Sequence, residues 1–153
     1  MSKKKPVDIH GQFVWVYDNA HDIVLAHLVE VAEQDGRVSD DQIERWRVLA
    51  SVPDIGLRYP IEDDVSTEVL SELLGIARKR VVEAGDVTRE DVADWSVLDG
   101  MNVSDGFLRT PVLAAPIVVE VVDAFASMVA GTFRTDPDEV MPILGSPGSN
   151  DSK

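Results

Sequence analysis

Cysteine is absent from the 153 residues, which excludes disulfides, thiolate metal centres and a cysteine nucleophile and suits a reducing compartment. Basic residues are scarce: 14 Lys and Arg stand against 28 Asp and Glu, giving a formal charge of −14. Such a charge repels phosphate backbones and anionic lipid, so neither nucleic acid nor a membrane surface is an expected partner. It favours a basic protein partner or a cationic ligand. No apolar run is clean enough to cross a bilayer. The most hydrophobic stretch, Pro111 to Ala130, carries Pro116, Glu120 and Asp123 in its interior and reads as a buried helix. The basic start, Met1-Ser2-Lys3-Lys4-Lys5-Pro6, leads into Asp8, His10, Gly11 and Gln12 and not into a signal-peptide core. A cytoplasmic protein is therefore expected, with the lysines as a solvated end.

What is present suits one folded domain. Apolar residues make up 44 % and charged ones 27 %, so a core of ordinary size can form. The domain is expected over residues 1–131, followed by a flexible tail over 132–153 rich in Gly, Pro, Ser and Asp. Within that tail, Met141-Pro142-Ile143-Leu144 is an apolar island with two readings, an inert stretch or a segment that docks on the body or a partner.

An internal duplication organises the domain. Val38-Ser39-Asp40-Asp41-Gln42-Ile43-Glu44-Arg45-Trp46-Arg47-Val48-Leu49 aligns with Val87 to Leu98 at an offset of 49, with Gly36 and Gly85 on the same offset. Asp54-Ile55-Gly56-Leu57-Arg58-Tyr59-Pro60-Ile61 then matches Asp105 to Val112. Two blocks in one order imply tandem units of about 50 residues, over about 24–61 and 73–112. Each unit reads as a long helix, a glycine turn, a Ser or Thr N-cap and a shorter helix bearing a tryptophan. Ser39 with Gln42 fits a capping box, as does Thr88 with Asp91.

An all-α fold of about five helices follows. The first long helix covers about Tyr17 to Gln34, with Phe13, Tyr17, Ala20, Val24, Leu28 and Val31 at spacings of four and three. A short strand over residues 12–17 competes with its start. The second long helix covers about Ser66 to Ala84, striped by Val69, Leu70, Leu73, Leu74, Ala77 and Val81. A final apolar helix runs from about Pro116 to Ala130; its β-branched run at 117–122 makes a strand the competing reading.

Candidate chemistry is sparse. His21 and His27 lie six residues apart, on opposed faces of one helix, and His27 with Glu30 and Glu33 lacks the second Glu/His motif of a di-iron bundle. If Gly36 were the sixth position of an EF-hand loop, Val31 and Gln42 would stand where acidic ligands belong. The Asp35-Gly36-Arg37-Val38-Ser39 turn instead resembles the short turn between helices of tellurite-resistance-type helical domains, over the turn and its flanks, and assigns no family. No Gly-x-Ser-x-Gly elbow, Walker loop or dinucleotide fingerprint occurs, so neither a catalytic residue nor a cofactor is expected. Asp40-Asp41 and Glu62-Asp63-Asp64 read as helix starts, where acids complement the dipole. Two aspartates at the head of the would-be recognition helix also exclude a DNA-binding helix-turn-helix.

The repeat-matched residues remain. Trp46 and Trp95 read as packing residues of the two units. Arg58 and Arg109 either pair with Asp54 and Asp105 and cap helices, or flank a pocket between the units and clamp a carboxylate. The functional expectation is an acidic helical interaction module of the inhibitor, immunity or adaptor type. The alternatives are a ligand-binding protein or enzyme using Arg58, Arg109, Trp46 and Trp95, and a homodimer built on the first and last helices.

Overall fold

Alternation decides the start of the chain. Val7 and Ile9, and then Val14 and Val16, are buried at every second position, the period of a strand. In the computed structural model, which describes residues 4–9, 12–51, 65–95, 112–133 and 143–144, β1 (Lys4–Ile9) and β2 (Gln12–Tyr17) form an antiparallel hairpin. Val7 pairs with Val14 and Lys5 with Val16, which puts the apolar positions on one face. Of the two readings of residues 12–17, the strand is the one found, so Phe13 and Tyr17 precede the first helix, and Lys4 and Lys5 lie on a paired strand. A third strand, β5 (Ile143–Leu144), adds in parallel to β2, with Trp15 opposite Ile143 and Val16 opposite Leu144. Ile143 and Leu144 of the apolar island thus return to the body, and Leu144 packs against the core.

Helices dominate the rest, five of them among the described residues: α1 (Asp18–Asp35), α2 (Asp40–Ser51), α3 (Thr67–Ala84), α4 (Arg89–Asp94) and α5 (Ala115–Ala130). A two-residue antiparallel pair, β3 (Val87–Thr88) with β4 (Val112–Leu113), joins the entrance of α4 to that of α5. α1 is central, as its apolar residues on more than one side require: it packs on α2, α3 and α5, and α3 packs on α5. Residues 19–29 of α1 are all buried. α5 is helical despite its β-branched run, because Val118, Val121, Val122, Phe125, Met128 and Val129 fall buried at helical spacing. Burial of one face outweighs local propensity here.

Helix ends follow the sequence signals. Gly36 ends α1 at φ 86°, its N–H donating to the Ala32 carbonyl, and Ser39 Oγ accepts from the Gln42 N–H at the head of α2. Ser66 caps α3 by accepting from the Val69 N–H. Thr88 and Asp91 cap α4 reciprocally, each side chain accepting from the other's N–H at 3.1 and 3.0 Å. Asp86 Oδ1 accepts from the Ala115 N–H at 2.9 Å, satisfying an otherwise orphan donor at the start of α5. No helix among the described residues is long and apolar enough to cross a membrane.

Candidate functional site

Arg58, Arg109 and the aspartates Asp54 and Asp105 lie outside the described residues. Trp46 is fully buried in α2. Trp95 follows the end of α4, is half-buried, and reaches across to α1.

The Trp95 end of that contact is built on one face of α1. His27 and Glu30 are three residues apart, hence neighbours on the helix surface. Glu30 receives two donors: Arg80 of α3 on Oε1, and the Trp95 indole N–H on Oε2 at 3.0 Å. The His27 ring meets the Trp95 ring nearly edge-on, with centroids 4.7 Å apart and planes at 64°. Burial, and then the positive charge of Arg80, lower the His27 imidazole from its ordinary 6.5 to about 4. His27 is therefore neutral at neutral pH, and its buried Nδ1 has no hydrogen-bond partner among the described residues. Among those residues no three His, Asp or Glu side chains stand close enough to hold a metal ion. The junction ties Trp95 to α1, and Arg80 of α3 meets it at Glu30.

A second constellation lies where α1 turns into α2. The Gly36 turn brings the last turns of α1 against the first turns of α2 and leaves a cleft of roughly 350 Å³. Ala32, Val38 and Ile43 line it and are themselves at most 7 % exposed, so they close its inner wall while adding little accessible surface. Glu33, Asp40 and Glu44 line it too and are exposed, so its rim is acidic. Arg47 of α2 belongs to the same rim, where its guanidinium donates to the Glu33 carboxylate.

Charge at this corner is left uncancelled. Arg37 is taken by Asp35 and Glu72, Arg78 by Asp123 and Arg80 by Glu30. The Arg37 hydrogen bond holds the Asp35 carboxyl below its usual range. Asp40, Asp41 and Glu44 have no ion pair among the described residues. Asp41, Glu44, Arg45 and Val48 share the outer face of α2 by their spacing, and Val48 is 44 % exposed. The result is an acidic face with an apolar spot beside an acid-rimmed cleft.

From the sequence alone, Asp40 and Asp41 read as complements to a helix dipole, and Glu33 as a neighbour of His27 and Glu30. Nothing there joins Glu33 to Arg47; the one signal is a Glu and an Arg 14 residues apart across an expected tight turn. A comparison of the chain with known families, curated proteins and solved structures finds no match.

Proposed function

We propose that this chain is an acidic helical interaction module, of the inhibitor, immunity or adaptor type, that binds a basic protein partner in the cytoplasm. The observation that carries this reading is the uncancelled charge at the α1–α2 corner. Arg37, Arg47, Arg78 and Arg80 are committed to internal acids as above, while Asp40, Asp41 and Glu44 have no ion pair among the described residues and stand near exposed Val48. An excess of 28 acidic over 14 basic residues steers basic surfaces toward such a face and repels acidic ones. In this reading the two helix–glycine–helix segments descend from one duplicated unit, and the unit that keeps its acidic corner open carries the contact.

The test is a pull-down with the full chain from a lysate of its source, washed at low and at moderate salt, alongside an Asp41→Lys/Glu44→Lys variant. A stoichiometric basic partner, lost as salt rises and lost with the variant, supports the reading. Retention of acidic or neutral proteins that ignore salt and variant alike would sink it.

A ligand-binding role draws on the cleft itself, whose roughly 350 Å³ falls at the small end of ligand pockets. A rise in melting temperature with a small cation would favour it. As for a homodimer, the stripes expected to form its interface are used inside the fold: Ala20, Val24, Leu28 and Val31 of α1 are at most 3 % exposed. Self-association would instead draw on exposed Ile76 and Val82 of α3.

A further inference from the structure

A charged imidazole carries a proton on both ring nitrogens and needs an acceptor for each. His27 is 5 % exposed, and its buried Nδ1 meets no partner among the described residues. In the charged ring that nitrogen would be a buried donor with nothing to receive it, the costly arrangement for a polar group. The charged groups of the junction do not relieve it. Arg80 from α3 repels a second cation, and Glu30 of α1 is already shared between Arg80 and the Trp95 indole. The end of α4 brings the uncharged indole, and Asp91 of that helix is occupied in the Thr88 cap. A protonated His27 must therefore reach water.

The walls around it are not equally movable. α1 is held by α2, α3 and α5 on its several sides. Trp95 follows a six-residue helix that contributes Val92 to the core, and a two-residue strand pair precedes that helix. Displacing the indole costs one hydrogen bond and one ring contact with α1. We propose that Trp95 is an acid-released latch: protonation of His27 expels the indole from α1, and α4 opens with it while the remaining helices stay packed.

The experiment follows amide and indole hydrogen exchange of the full chain by NMR at pH 7 and pH 5, each rate divided by that of the unstructured chain at the same pH. The α4 amides and the Trp95 indole N–H should open more readily than the core amides of α1 and α3 at both pH values. Their opening should rise about 20-fold from pH 7 to pH 5 in the parent beyond any rise in His27→Gln, because His27 goes from about 4 when covered to its ordinary 6.5 when exposed. Exchange of α4 at the same level as the core, or an equal rise in His27→Gln, would overturn the latch. Trp95→Ala is a second test, read directly on the His27 ring resonances. With its cover removed, His27 should titrate closer to 6.5 in a chain that keeps its fold. A His27 that still titrates near 4 in Trp95→Ala would show that the indole does not hold it, and the latch would fall.

Discussion

The segments α1–turn–α2 and α3–turn–α4 share the same local signals at their turns and end differently. Each has an 18-residue helix, a glycine at positive φ, a Ser or Thr N-cap and a tryptophan seven residues beyond the cap. In the first, α2 runs for 12 residues and Trp46 lies within it, with no exposure. In the second, α4 stops after six residues, and Trp95 stands at its C-cap, bonded to Glu30 and packed on His27. Local signals dictate turns and caps, which depend on a few adjacent residues. The fate of each tryptophan depends on what the rest of the chain puts beside it.

The largest expected contrast is between those tryptophans. Trp46→Ala leaves a large cavity in the core and should cost about 3–5 kcal/mol. Trp95→Phe keeps most of the packing, loses one hydrogen bond, and leaves Glu30 still paired with Arg80, for about 1 kcal/mol. Urea denaturation of both variants checks this; equal losses would mean that Trp95 is as deeply structural as Trp46.

The two turn glycines should also part company. Gly36 adopts φ 86°, ψ −2°, the left-handed region, whereas Gly85 adopts φ 73°, ψ −150°, a region that only glycine occupies readily. Nothing stands within 4 Å of a Cβ built at either, so any penalty comes from the backbone itself. Gly36→Asn should therefore be close to neutral, because asparagine tolerates the left-handed region. Gly85→Asn should lose about 2–3 kcal/mol. Similar melting temperatures for the two variants would contradict the difference in ψ.

Acid should act through the second segment, because His27 is packed on Trp95. The folded chain holds His27 at about 4 while its ordinary value is 6.5, so the unfolded chain takes up the proton first. Stability is then complete above about pH 6.5 and falls as pH drops toward 4, where the loss levels off. Between pH 7 and pH 5 the His27 contribution amounts to about 2 kcal/mol. A His27→Gln variant should lose that part of the pH dependence, and comparison with the parent cancels the other titrating groups. Parallel pH profiles for variant and parent would show that His27 does not titrate as placed.

Much of the helical part was legible, and the reasons are local. Leu70, Leu73, Leu74, Ala77 and Val81 repeat at helical spacing and all are buried; Ser39 and Thr88 cap as expected. The strand over 12–17 is one of two readings of the sequence because Phe13, Tyr17 and Ala20 continue the helical spacing of α1, and β1 is hidden because lysines and Pro6 disguise it until its partner strand is known. The site was far less legible. Trp95 joins Glu30 across 65 residues, and Arg80 joins the same carboxylate across 50. No periodicity encodes such contacts. The cleft acids were visible one by one, but their gathering around one cleft appears only once α1 and α2 are folded against each other.

The smallest expected effects are at the caps, and they bear most directly on why the segments differ. Ser39→Ala and Thr88→Ala each remove a side-chain acceptor from a helix N-terminus, at about 1 kcal/mol apiece. α2 is anchored by buried Gln42, Ile43 and Trp46, so it should open only with the whole molecule. The Ser39→Ala loss should then appear in the global melting temperature. α4 has six residues, one of them, Val92, in the core, and leans more on its reciprocal Thr88–Asp91 cap. Thr88→Ala should accordingly speed amide exchange within α4 and at Trp95 by about fivefold while the global transition moves less, the mark of a locally opening unit. An equal shift of the global transition by both variants, with no local acceleration, would mean that the two helices unfold as one, and that α4 is held by its surroundings as firmly as α2 is held by its tryptophan.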